Sequence, residues 1–149
     1  MNLLHEQGFS ELNTRARQAL VVNAKACTGC RTCETVCGMI KTGKIYPQLA
    51  RIGIERDPFK GRFVPHICRQ CSVPDCLKAC PEEAIGISRR TGAVIIDGKK
   101  CEGCGNCIEA CPNQVIGFDD ENKQAFKCDL CGGQPNCCLL YTSDAADDS

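Results

Sequence analysis

The sequence predicts an α+β fold of two fused lobes, each made of short β-hairpins, cysteine-bearing loops and short helices. Three observations carry that expectation. Sixteen cysteines fall into four groups of four, Cys27/Cys30/Cys33/Cys37, Cys68/Cys71/Cys76/Cys80, Cys101/Cys104/Cys107/Cys111 and Cys128/Cys131/Cys137/Cys138. Between the later groups one unit repeats: cysteine run, proline, apolar segment, polar turn, apolar segment, next cysteine run. Only 5% of the 149 residues are aromatic and none is Trp, so a chain this poor in core side chains needs another source of folding free energy.

The third group shows what that source is. Cys101-Glu-Gly-Cys104-Gly-Asn-Cys107-Ile-Glu-Ala-Cys111-Pro112 has the C-x2-C-x2-C-x3-C-P spacing of the bacterial ferredoxins, where three close cysteines hold one [4Fe–4S] cube and the fourth reaches a second. It is a half-site that must fold against a complement elsewhere in the chain. Four groups of four thiols supply ligands for four cubes with none left over. Bound metal contributes directly to folding, so loss of cofactor should mean loss of fold. A secreted disulfide scaffold is the first competing reading, but the N-terminus lacks a basic region followed by an apolar run, and the thiols are spaced to converge. Structural zinc is the second; it more naturally uses C-x2-C pairs separated by longer loops.

The elements follow in order. Residues 1–20 form an N-terminal arm, with a helix expected from Ser10 to Leu20 on the spacing of Leu12, Ala16 and Leu20. Its expected role is a clasp over the lobes or a docking arm. Val21–Ala26 reads as a strand entering the first cysteine group, whose last cysteine is followed by Gly38 where the second and third groups have proline. Alternation in 50–56 and 62–67, around Asp57-Pro58 and Gly61, predicts two strands. The second group carries a longer x4 gap enclosing Pro74, expected to loop over one face of a cube. A hairpin is expected over 83–98 with its turn at Arg89–Gly92, and another over 113–127 with its turn at Asp119–Asn122. The domain expected over 21–138 divides into an inner lobe, about 65–112, and an outer lobe from 21–64 and 113–138; 139–149 is an acidic, solvated tail.

Net charge is zero and there are two histidines, which argues against a haem or zinc system, and no long basic run points to nucleic acid. No segment approaches 18 consecutive apolar residues, so direct membrane insertion is not expected. With no export signal recognised, the expected compartment is the cytoplasm.

At this level the chain resembles the four-cluster, ferredoxin-type electron-transfer subunits of molybdenum and tungsten oxidoreductases, over residues 21–138. The insertion between the first two groups and the run Lys127-Cys128-Asp-Leu-Cys131-Gly-Gly-Gln-Pro-Asn-Cys137 carry the likeness. Within that family it is most similar to the iron–sulfur subunit accompanying tungsten-containing aldehyde ferredoxin oxidoreductases. The resemblance implies two bacterial-ferredoxin-like lobes and crossed ligation. Cys101, Cys104 and Cys107 would share a cube with Cys80; Cys68, Cys71 and Cys76 with Cys111; Cys128, Cys131 and Cys137 with Cys37. Cys27, Cys30 and Cys33 need one more thiolate. The family's last cysteine would stand at Tyr141, which leaves Cys138; if Cys138 is not a ligand, that centre has three protein ligands or is [3Fe–4S].

The chemistry implied is one-electron transfer. Gly29, Gly103, Gly105 and Gly132 are expected to let the backbone approach inorganic sulfide, and Ile85, Ile87, Val94, Ile96, Val115, Ile116 and Phe118 to pack around the centres and exclude water. Arg31, Arg69, Lys78 and Lys127 lie beside the cysteine groups, where their charge would raise the potential of a neighbouring cube, but they read first as solvated or docking residues. No nucleophile, general base pair or Gly-rich cofactor loop is present, so no catalysis is expected. The partners implied are a catalytic pterin-metal subunit, aldehyde-oxidising if the likeness to the tungsten enzymes extends that far, and a flavin subunit, a ferredoxin or another copy of the chain. The alternatives are the same module in a membrane-associated or formate/hydrogen-linked complex, and a cluster-based sensor.

Overall fold

The computed structural model describes residues 18–142. Its elements are α1 (Thr32–Thr42), β1 (Ile52–Asp57), β2 (Arg62–Ile67), α2 (Asp75–Lys78), β3 (Ile85–Ile87), β4 (Val94–Ile96), α3 (Asn106–Glu109), β5 (Gly117–Asp119), β6 (Gln124–Phe126) and α4 (Asn136–Thr142). The strands form three two-stranded antiparallel sheets, β1–β2, β3–β4 and β5–β6. This is the α+β arrangement of fused ferredoxin-like lobes.

One turn design serves all three hairpins. In each, a residue in left-handed conformation stands at or just before the second strand: Gly61 (φ 61°), Gly92 (φ 70°) and Lys123 (φ 54°). In the first and third, an aspartate ending the first strand ties the turn with its carboxylate. Asp57 Oδ1 accepts from the N–H groups of Phe59 and Lys60 at 3.0 and 3.1 Å, and Asp119 Oδ1 from those of Glu121 and Asn122 at 3.0 and 3.2 Å. This is the local side-chain-to-backbone bonding that makes Asp a turn former. The Asn122 side chain and N–H, with that of Glu121, hold the Asp119 carboxyl below the usual carboxylate range.

Proline decides where helices stop. α2 and α3 end just ahead of Cys80-Pro81 and Cys111-Pro112, because a residue preceding proline is disfavoured in helical conformation. Three residues after each of these cysteines the chain turns left-handed, at Glu83 (φ 48°) and Gln114 (φ 51°), so β3 and β5 begin later than the apolar runs suggest. In the first group Gly38 stands in proline's place and the helix continues. The result is the eleven-residue α1, closed by left-handed Gly43, whose N–H donates to Met39 O at 2.8 Å. Gly38 is buried, and a Cβ there would lie 2.5 Å from the Tyr46 carbonyl oxygen.

One expectation fails. Val21–Ala26 is not a strand: Val21 is 97% exposed with no neighbouring strand to pair with, and Asn23 Oδ1 instead accepts from Lys25 N–H at 3.1 Å to cap a single 3₁₀ turn, Ala24–Ala26. α4 crosses the boundary drawn at residue 139. The helix expected from Ser10 lies largely outside the described residues; 18–20 have no regular structure, although Leu20 packs on the core. Residues 143–149 of the expected tail also lie outside them.

There are two small cores. One gathers Cys37, Ile52, Ile67, Cys68, Ala93, Cys128 and Leu130; the other gathers Ile85, Val94, Cys107, Ile116 and Ala125. Leu130 and Val94 are the largest fully buried side chains, each contributing about 1.5–3 kcal/mol by burial. Ile116 and Ala125 place the β5–β6 hairpin with the second core, whereas Cys128 and Leu130, a few residues on, belong to the first.

Gly61 has open space where a Cβ would stand, so Gly61→Ala tests the backbone alone. It should cost about 1 kcal/mol and lower Tm, while Lys123→Gly, which relieves a left-handed non-glycine residue, should stabilise by up to about 1 kcal/mol. Thermal melts of the cluster-loaded protein followed by circular dichroism read both.

Candidate iron–sulfur centres

All four C-x2-C loops share a backbone signature. The residue before the second cysteine is left-handed in each: Gly29 (φ 73°), Gln70 (φ 51°), Gly103 (φ 74°) and Leu130 (φ 56°). Single left-handed residues among right-handed ones curl the chain so that successive N–H groups point inward, forming a concavity suited to an anionic group. Two of the four positions carry large side chains in a conformation that costs a non-glycine residue roughly 1–2 kcal/mol. Those two, Gln70 and Leu130, are 4% and 2% exposed, so the strain is offset by what the side chains reach.

The loops bring twelve cysteines together in three sets. Cys80, Cys101, Cys104 and Cys107 line one cavity with Ile85 and Ile96. Cys68, Cys71, Cys76 and Cys111 line a second with Val94, Val115 and Ile116. Cys37, Cys128, Cys131 and Cys137 line a third with Ile52 and Ile67. Each set takes three cysteines from one group and one from another. The empty spaces are alike, about 340, 350 and 330 Å³ with open solvent at their mouths included. Cys27, Cys30, Cys33 and Cys138 line none of these three. Cys138 follows Cys137 within α4, where successive side chains diverge by about 100°.

The donor chemistry suits iron and sulfide. None of the sixteen cysteines is joined in a disulfide. Among the described residues no three Cys, His, Asp or Glu side chains are grouped as a single ion would require; the sets surround a space and do not close on a point. Hydrogen bonds reach the sulfurs from outside: Arg51 N–H to Cys37 at 3.2 Å, Ala84 N–H to Cys80 at 3.3 Å, Gln70 N–H to Cys68 at 3.5 Å and Thr32 Oγ1 to Cys30 at 3.5 Å. Such bonds favour the thiolate and tune a cluster's potential.

The thiols also report which cavities adjoin. Burial pushes Cys107 up to about 11, helped by Cys101, Cys104 and, from the next cavity, Cys76. Cys128 is likewise pushed up to about 11 by burial, with Lys127 opposing and Cys68 of the neighbouring cavity adding. Cys137 is pushed up to about 12, first by burial and then by Cys138, Cys128 and Cys37. Packing gives the order: Cys68 gathers with Cys37 and Cys128 in one core, and Cys76 and Cys111 pack with Cys80, Cys101 and Cys107 in the other, so the three cavities stand in series with the Cys68/Cys71/Cys76/Cys111 cavity in the middle. Burial raises Cys33 as well, with a contribution from Glu34.

Several expectations about neighbouring residues change. The four glycines are all left-handed, but what three of them make room for is protein. A Cβ on Gly29 would strike the Phe63 ring, on Gly103 the Lys123 carbonyl, and on Gly132 the Arg90 guanidinium. Of the apolar residues, Ile85, Ile96, Val94, Val115 and Ile116 do line cavities, whereas Ile87 and Phe118 do not. Arg69 and Lys78 are exposed as expected, and Arg31 pairs with Glu34 at 3.6 Å while staying 58% exposed. Lys127 is not solvated: it is 3% exposed. Gln70 and Glu34, which reaches the Ile54 N–H at 2.6 Å, are buried polar residues that sequence reasoning did not single out. Their position beside ligand cysteines was the only available signal. Asp129 is the remaining charged feature: burial would raise its carboxyl, but the Lys41 ammonium at 2.6 Å and the Cys131 N–H prevail and hold it low.

The 4Fe-4S dicluster domain family matches residues 59–140. The chain belongs to that family. It is a ferredoxin-like iron–sulfur electron-transfer subunit, with no catalytic site among the described residues. It is 39% identical over 118 residues to the polyferredoxin-like subunit of the aliphatic sulfonate oxidoreductase of Pyrococcus furiosus, covering 79% of this chain and 68% of that one. It is 37% identical over 137 residues to a tetrathionate reductase subunit of Archaeoglobus fulgidus, covering 88% and 65%. To the formate dehydrogenase-O iron–sulfur subunit of Escherichia coli it is 27% identical over 145 residues, covering 80% and 48%. The chain thus spans about half to two thirds of the length of these relatives. No helix among the described residues is long and apolar enough to cross a membrane.

The raised thiols give a pH dependence with opposite signs in the two forms. A folded-state pKa above the unfolded value of about 8.5 contributes stability to the apo fold below that pH, and the contribution is lost as pH rises toward the folded values. Cluster ligation requires thiolates, so loading should release protons and iron should be lost as pH falls. Apo-protein denaturation and holoprotein iron retention, each measured from about pH 6 to about pH 10, should show these opposing trends.

Proposed function

We propose that the chain relays single electrons through four [4Fe–4S] clusters within an oxidoreductase complex, between a catalytic pterin-metal subunit and a flavin subunit, a ferredoxin or a neighbouring copy. The observation that carries this is the convergence of three crossed cysteine sets on three like-sized cavities in series. A [4Fe–4S] cluster supplies one-electron redox chemistry with little change of shape. The protein's part is to hold the clusters within reach of one another, to exclude water with the isoleucines and valines of the cavity walls, and to set potentials through N–H···S bonds and fixed charge.

In this assignment Cys101, Cys104, Cys107 and Cys80 ligate one cluster, Cys68, Cys71, Cys76 and Cys111 the next, and Cys128, Cys131, Cys137 and Cys37 the third. Cys27, Cys30 and Cys33 hold the fourth, completed by Cys138 or left as a three-ligand or [3Fe–4S] centre. Relatives whose partner enzymes are named for sulfonate, tetrathionate and formate support a relay serving this wider range of oxidoreductases, with the formate-linked reading ahead of the aldehyde-oxidising tungsten enzyme. The cytoplasm is the proposed compartment.

Anaerobically purified protein should contain about 16 Fe and about 16 acid-labile sulfides per chain, four of each per cube, and should co-purify from its native host with a pterin-containing subunit that reduces it. A colourless folded protein with zinc or paired cysteines would overturn the relay. A redox-silent protein that changes its association state on cluster loss would favour the sensor. Cys138→Ala should remove about one to four Fe, all from the cluster of Cys27, Cys30 and Cys33; an unchanged iron count and unchanged spectra would exclude Cys138 as a ligand.

A further inference from the structure

Lys127 is buried in a way that a relay of cysteines does not require. Lysine is almost never fully buried without a paired charge, yet Lys127 is 3% exposed and its ammonium donates only to two backbone carbonyls, Val94 O and, at 3.0 Å, Cys128 O. Among the described residues no carboxylate pairs with it. The other cations nearby differ. Lys41 is neutralised by Asp129 at 2.6 Å, and Arg51 lies over the Phe126 ring, 5.4 Å from its centroid.

The position is defined by a closed ring of hydrogen bonds. Gln70 Oε1 accepts from Val94 N–H at 2.8 Å, and Gln70 Nε2 donates to the same Cys128 carbonyl at 3.0 Å. Gln70, the Val94 backbone, Lys127 and the Cys128 carbonyl therefore hold one another, and Gln70 adopts a left-handed conformation to take part. Both flanking cavities touch this ring. Lys127 lines the Cys68/Cys71/Cys76/Cys111 cavity and is joined by a peptide bond to Cys128 of the Cys37/Cys128/Cys131/Cys137 cavity.

We propose that Lys127, fixed by Gln70 and by the Val94 and Cys128 carbonyls as an unpaired buried cation between two cysteine-lined cavities, sets the reduction potentials of the two clusters those cavities hold. The inference rests on reading the cavities as cluster sites. The physics is direct: each cluster gains negative charge on reduction, and a fixed positive charge in a low-dielectric wall favours the reduced state of both neighbours. Lys127 does not line the Cys80/Cys101/Cys104/Cys107 cavity, so its effect is largest on the two clusters it adjoins. Lys127 is a positioning residue of charge and makes no bond to the reacting atoms.

The test is an EPR-monitored redox titration of the loaded protein with dithionite and mediators. In Lys127→Met and in Lys127→Gln, which removes the charge but keeps a donor for the carbonyls, two of the four clusters should become harder to reduce. The reduced-to-oxidised ratio at fixed ambient potential should fall at least about tenfold, which is about 59 mV for one electron, with a smaller shift in the other two. Lys127→Arg should restore the wild-type potentials. Unchanged potentials in the neutral variants, or an equal shift of all four clusters, would overturn the proposal. So would loss of iron in both neutral variants, since that assigns Lys127 to folding. A wild-type protein without clusters would instead overturn the relay itself, which separates the two failures.

Discussion

A cluster-binding site of this kind has to be surrounded by four sulfurs that no single tight loop can supply. That constraint governs the molecule. Each cavity takes three cysteines from one loop and one from a distant helix or turn, so Cys80 and Cys111 exchange across the inner pair of cavities while Cys37 is carried by α1 to the loop of Cys128. Local structure is subordinate to this exchange. Strands three residues long and helices of four would be marginal alone; they act as spacers that return each fourth cysteine to its partner loop.

The loops meet the demand with backbone conformation more than with side chains. A left-handed residue before the second cysteine recurs in all four groups. Where a Cβ would strike the Phe63 ring or the Lys123 carbonyl, glycine fills the position. Where the chain faces the junction between the two cores, Gln70 and Leu130 fill it, and burial offsets the strain. Of the left-handed non-glycine residues, Gln70 and Leu130 are thus the buried ones that join the loops to the cores.

Charge is distributed with the same economy. Glu34 and Asp129 sit beside cysteine loops but are satisfied by a backbone N–H and a lysine respectively. Lys127, by contrast, meets backbone carbonyls and no carboxylate among the described residues.

The α+β class and the hairpins at 52–67, 85–96 and 117–126 were legible in the sequence, because cysteine spacing and turn residues are local signals. The crossed ligation came from the family likeness; what the fold itself contributes is that twelve of the cysteines line three cavities, three from one group and one from another in each. Local signals misled where the outcome depended on a partner: Val21–Ala26 has strand-like residues but no strand beside it, and α1 exists because Gly38 fits under the Tyr46 carbonyl, a contact invisible in one dimension. The burial of Lys127, Gln70 and Glu34 was likewise settled only by packing. The residue types show what could bind iron; which polar side chains are drawn inward depends on how the lobes close, and that is decided by long-range contacts.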